Sequence, residues 1–141
     1  MRVLGLDPGH TTGYAVIEIN EKLPSLKSIG ESKDPTMLEI REFFENCDII
    51  VYEDFLLNPK KAMRGDFNNS RLLTIQVIGA IVSLAAQHQK QTVKQMNSVK
   101  PVGYGWAKLK YSAGKKGMHQ QDALAHAMYY CVSKKLCQPI A

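Results

Sequence analysis

Apolar and polar positions fall in blocks along this chain, and the spacing changes from block to block. Val3 to Ile17 runs apolar to one carboxylate, Asp7, turns on Pro8-Gly9, and returns as a second apolar run. That pattern predicts a hairpin of two buried strands with an acid at the tip of the first. Leu26 to Ile29, set off by Pro24-Ser25 and Gly30, predicts a short third strand. Asp34-Pro35 has the form of a helix start, Asp as N-cap and Pro at the first helical position. Met37, Leu38, Ile40, Phe43 and Phe44 then keep helical spacing to about Asn46. Asp48 to Phe55 is an apolar strand leading into acids. A mixed sheet follows, with the first and fourth strands side by side and parallel.

Ser70 is expected to cap a long helix reaching about His88. Its apolar residues go well beyond one face, so it must be covered on more than one side: the sheet on one, a second subunit on another. Gly79 in mid-helix would let another backbone approach. Gln91 to Met96 predicts a fifth strand, and His119 to Val132 a last helix whose Ala123, Ala125 and Ala127 let it lie close on the sheet. His119 and Asp122 are three apart, hence on one face of its first turn.

Length changes the picture little: 141 residues suit one domain, residues 1–141. No stretch approaches the roughly eighteen apolar residues of a membrane span, and the opening strand leaves no signal peptide. Three cysteines without metal spacing are expected to be reduced thiols, and the chain to be cytoplasmic, with no membrane partner.

Charge changes it more. The net charge is +5, but residues 1–54 balance to −6 and residues 55–141 to +11. Such asymmetry predicts a surface that meets a polyanion, nucleic acid first. The loop 56–69 carries Lys60, Lys61 and Arg64, and Phe67 there either tucks onto the core or faces a partner. From Asn97 to Gly117, Lys108 and Lys110 are interleaved with Tyr104, Trp106 and Tyr111, a mixture suited to phosphates and exposed bases. Trp106 serves equally as a core anchor.

Asp7 has two readings, a turn cap or a metal ligand on a rigid strand end. Seating the last helix on the sheet brings Asp7, Glu53, His119 and Asp122 together and favours the second. Asp54 is the rival to Glu53.

These residues resemble the RuvC family of Holliday junction resolvases, within the ribonuclease H-like superfamily. Gly5-Leu6-Asp7-Pro8-Gly9 with Thr12-Gly13-Tyr14-Ala15-Val16 is similar to its first motif. Val51-Tyr52-Glu53 resembles the second, and His119-x-x-Asp122-Ala123-Leu124-Ala125 the third; Gly103 to Lys108 resembles the segment before it. The loop after Glu53 is longer and more basic than in most bacterial members, as in the phage-encoded branch. The likeness runs in order through almost the whole chain.

The resemblance implies an α/β, ribonuclease H-like fold: a five-stranded mixed sheet flanked by helices, strands 1–3 antiparallel, 4 and 5 parallel to 1. It implies cleavage of branched DNA, four-way junctions above all, by a homodimer in a bacterial or phage-infected cell. Asp7, Glu53, His119 and Asp122 would be the catalytic and metal-binding residues, holding two Mg²⁺ ions with Mn²⁺ able to substitute. His119 would either bind an ion or position the attacking water. Lys60, Lys61, Arg64, Lys108 and Lys110 would hold phosphates, with Phe55 or Phe67 as the aromatic wedge at the branch point. Two other readings stand beside this one: a ribosomal-RNA-processing nuclease of the same superfamily, and a basic DNA-binding module without catalysis. The Glu53 strand and the His-x-x-Asp ending fit RuvC better than the first. The intact set of four ligands argues against the second.

Overall fold

A computed structural model describes residues 1–55, 69–112 and 118–141. Five strands form one sheet in the order β3-β2-β1-β4-β5. They are β1 (Arg2–Asp7), β2 (Thr12–Asn20), β3 (Leu23–Ser32), β4 (Ile49–Glu53) and β5 (Gln91–Gln95). β1 pairs antiparallel with β2 and parallel with β4; β2–β3 is antiparallel and β4–β5 parallel. The expected mixed sheet is therefore present, with the strand directions the resemblance implies.

The strand alternation sorts side chains onto two faces. Val3, Ala15, Ile17, Ile49 and Val51 face one way, against Ala123, Leu124, Ala127 and Met128 of helix α4 (His119–Ser133). Leu4, Leu6, Val16, Ile50 and Tyr52 face the other, against α1 (Arg41–Asn46) and α2 (Asn69–Gln87). A short helix α3 (Lys100–Trp106) lies beside α4. Counting by twos from Val3 and Val51 puts both Asp7 and Glu53 on the α4 face. Gly5 on that face is a contact point: a Cβ there would come 2.2 Å from the Ala123 carbonyl oxygen. The helix backbone thus lies directly on the central strand.

Several boundaries differ from the sequence pattern. β3 spans Leu23–Ser32, longer than Leu26–Ile29, because it is an edge strand where Pro24 breaks no ladder. Asp34-Pro35 does not begin a helix. The Asp34 carboxylate accepts the Thr36 hydroxyl and the Thr36 and Glu39 N–H groups, closing a local turn. Met37 then takes a left-handed φ of 63° with its side chain fully buried, and a 3₁₀ turn (Leu38–Ile40) leads into α1. β4 ends at Glu53 rather than Phe55. Helix α2 is described from Asn69, so Ser70 lies inside it rather than before it. Helix α3 was not expected, since Pro101, Gly103 and Gly105 obscure its period.

Trp106 packs partly buried against the α4-side core and stacks on Tyr129, ring centroids 5.6 Å apart. Cys47, Cys131 and Cys137 are buried free thiols. No described helix is long and apolar enough to cross a membrane.

Candidate active site

β1 and β4 run parallel with Leu6 opposite Tyr52, so Asp7 and Glu53, the last residues of their strands, stand at the same end of the sheet. α4 starts over that end. A Cβ on Gly13 would sit 2.0 Å from the His119 carbonyl oxygen, so only glycine lets the first turn come down beside Asp7. His119 Nδ1 then lies 3.1 Å from Asp7 Oδ2. Asp122, one turn further on, faces α3.

The unexpected helix completes the cluster. Lys100 at its start places Nζ 3.1 Å from Glu53 Oε1 and 3.3 Å from Asp122 Oδ2. Tyr104, one turn later, donates its hydroxyl to Asp122 Oδ1 at 2.5 Å. Behind Glu53, the fully buried His126 has Nε2 3.4 Å from Glu53 Oε1 and Nδ1 2.8 Å from the Gln95 side-chain oxygen.

Three carboxylates gathered at low exposure set up opposing electrostatics. Burial pushes the Asp7 carboxyl up to about 7; the His119 hydrogen bond opposes this, and Glu53 and Asp122 add to it. Burial pushes Glu53 the same way, but His126, Asp7 and Lys100 outweigh it and hold Glu53 well below the usual range. The two neighbouring carboxyls are thus pushed in opposite directions, Asp7 up and Glu53 down. Hydrogen bonding to Asp7 raises the His119 imidazole. Burial and then the Asp122 bond hold the Tyr104 phenol far above its ordinary range, so it donates and does not ionise.

The four residues expected to act together do lie together. Carboxylate oxygens from three side chains gathered in one partly buried place are hard donors of the kind that suits a divalent cation. Among the described residues they are not closed into a ready ligand cage. Lys100 holds the space between Glu53 and Asp122 as the resident positive charge.

The DNA-facing candidates divide. Phe55 is half-buried just past β4, its N–H donating to the Asp54 carboxylate. Lys108 and Lys110 are exposed after α3, with Lys108 at a left-handed φ of 59°. Lys60, Lys61, Arg64 and Phe67 lie outside the described residues.

Sequence reading missed Lys100, His126 and Gln95, and took Tyr104 only as an aromatic of a basic segment. His126 carried a signal: it stands four residues after Asp122 and seven after His119, on the same helical stripe. Lys100 and Tyr104 are likewise four apart, a spacing that means nothing until α3 is known to be a helix.

No protein-family model matches the chain, and no curated protein sequence matches it. Solved structures do. RuvC of Thermus thermophilus superposes with a TM-score of 0.66 at 16% identity, covering 99% of this chain and 100% of its own. The same protein in complex with a Holliday junction substrate gives 0.65 over the same shares at 16% identity. The Fowlpox virus resolvase, solved with Holliday junction DNA, gives 0.57 at 13% identity over 96% of this chain and 99% of that one. The fold is the one these resolvases share.

Proposed function

We propose that this chain is a divalent-cation-dependent endonuclease that cuts branched DNA, resolving four-way junctions by paired phosphodiester hydrolysis in a homodimer. One observation carries the reading: carboxylates from β1, β4 and α4 meet at a single strand end beside His119 and Lys100. The junction-bound neighbours of the same fold support the choice of substrate.

Asp7, Glu53 and Asp122 would hold the ions, with His119 completing the set. Bound there, two divalent cations supply Lewis acidity for the attacking water and charge stabilisation for the leaving oxygen. The protein's own groups do the rest. Asp7 must release its proton to solvent before it can ligate, and His119, 3.1 Å away at Nδ1, can join the set only as the neutral ring. Tyr104 fixes Asp122, and Lys100 balances charge before the cations arrive. Lys60, Lys61, Arg64, Lys108 and Lys110 would hold backbone phosphates without reading sequence. Phe55 or Phe67 would wedge the branch point.

A junction offers two strands related by symmetry, and a two-fold dimer matches it with two sites. Helix α2 supports this arrangement. Val77, Ile81, Leu84 and Ala85 are buried under it, whereas Leu72, Ile75 and Val82 are each more than 40% exposed on another face. Gly79 falls in that exposed stripe, and a Cβ there would meet nothing within 4 Å among the described residues. Packing among the described residues therefore does not explain its place, and a second copy's backbone would explain it.

The test is purified protein with labelled four-way junction and linear duplex, with and without Mg²⁺. Paired incision of the junction only when Mg²⁺ is present is expected. Cutting that survives excess chelator, or persists in Asp7→Asn, overturns the metal-dependent reading. Junction binding without incision under any divalent ion would favour a non-catalytic module.

A further inference from the structure

The tip of Glu53 is held from behind by a residue that faces no solvent. His126 is 0% exposed, and among the described residues its Nε2 has no well-formed hydrogen-bond partner. The nearest carboxylate atom is Glu53 Oε1, 3.4 Å away and itself buried. A buried polar atom left without a partner costs about 1–3 kcal/mol, and Nε2 finds its acceptor in Oε1, an atom that also faces Lys100 Nζ at 3.1 Å. On the other side of the ring, Nδ1 lies 2.8 Å from Oε1 of Gln95. Gln95 stands directly opposite Glu53 in the β4–β5 register, on the same face of the sheet.

We infer that His126 is a positioning residue for Glu53: Nε2–H donates to Oε1, and Gln95, gripping Nδ1, fixes the ring. The inference rests on the reading of Glu53 as a cation ligand. The ring can do this in two ways. With its single proton on Nε2, Nδ1 accepts an N–H of the Gln95 amide, whose oxygen and nitrogen are interchangeable by position. With both nitrogens protonated, Nδ1–H donates to the Gln95 oxygen. In either state Nε2 is a donor. The remaining arrangement, a proton on Nδ1 alone, would point two lone pairs at each other in a dry contact.

The consequence is a division of labour within one carboxylate. Lys100 and His126 both address Oε1, so Glu53 would offer its other oxygen to the cation. Side chains behind a ligand commonly govern metal affinity by ten- to a hundredfold, although they never touch the ion.

Two measurements decide it. In ¹⁵N-labelled, metal-free protein, the His126 ring nitrogens report where the proton sits; a protonated Nε2 is expected, and a bare Nε2 overturns the inference without any variant. Mn²⁺ binding by the metal-free protein, followed by the paramagnetic resonance of free Mn²⁺, gives the second readout. His126→Leu fills the space without a donor and should weaken Mn²⁺ binding about ten- to a hundredfold. His126→Gln, which keeps an N–H, should recover much of it. Glu53→Gln is the reference. If it weakens binding while His126→Leu does not, the positioning role is wrong and the ligand reading stands. If Glu53→Gln leaves binding unchanged, the ligand reading fails and takes the positioning role with it.

Discussion

Tyr104 and Asp122 meet across 2.5 Å, the phenol donating to Oδ1, and this bond ties α3 to the first turn of α4. Hydrogen bonds to an ionised acceptor are the stronger kind. Tyr104→Phe removes the donor and keeps the ring against Tyr111, whose centroid lies 5.1 Å away. The metal-free variant should lose about 1–2 kcal/mol in urea unfolding. Unchanged stability would mean that water serves Asp122 as well as the hydroxyl does.

Asp7 predicts a pH dependence with a definite sign. Its folded-state carboxyl titrates near 7 against an ordinary 3.8, so the folded protein keeps a proton that the unfolded chain releases. That contribution to stability is full below the unfolded value and is lost as pH rises through the folded one. Asp7→Asn cannot ionise. The metal-free variant should therefore gain on wild type as pH rises from about 5 to about 8, by about 1–3 kcal/mol at the upper end. Excess Mg²⁺ should shrink the gap, because only wild type keeps the full ligand set. Parallel stability curves across that range would show that Asp7 ionises freely in the folded state.

Gly79 separates folding from association. Alanine is better than glycine in a helix by about 1 kcal/mol, and among the described residues nothing obstructs its methyl. Gly79→Ala should leave the protomer equally or more stable while weakening the dimer; Val82→Asp should abolish the dimer. Ile81 is not a useful site for this, since it is fully buried under the helix. Sedimentation of the unmodified protein as a monomer at micromolar concentration would end the homodimer proposal.

The branch-point wedge has two candidates, Phe55 and Phe67. Stacking of an aromatic on an unpaired base is worth about 1–3 kcal/mol by alanine substitution. A 2-aminopurine at the crossover should brighten or dim on binding, and one of Phe55→Ala and Phe67→Ala should remove the change. A response that survives both substitutions would assign the opening to another group.

Much of the site was legible because strand parity is strict. Counting by twos from the apolar residues of β1 and β4 carries Asp7 and Glu53 to the same face, and helical spacing carries His119 and Asp122 to one turn. What escaped depends on contacts that no local pattern encodes. Asp34 looked like an N-cap because its carboxylate does bind nearby N–H groups, but it closes a turn instead of opening a helix. Helix α3 was hidden in part by Gly103, the residue that also lets it lie close to α4, and with it went Lys100. His126 sat inside an apolar run, where a histidine reads as core until Gln95 and Glu53 are known to flank it.

His119 and Asp7 stand 112 positions apart, and they meet only because α4 settles onto Gly5 and Gly13. A chain still emerging from the ribosome can have strands β1 and β4 in place and carry both of their acids, yet hold neither His119 nor Asp122 over them. Under the proposed function, cutting power would therefore arrive late, with the seating of α4, and a half-made copy could hold DNA without severing it. The order of synthesis would then double as a safety catch.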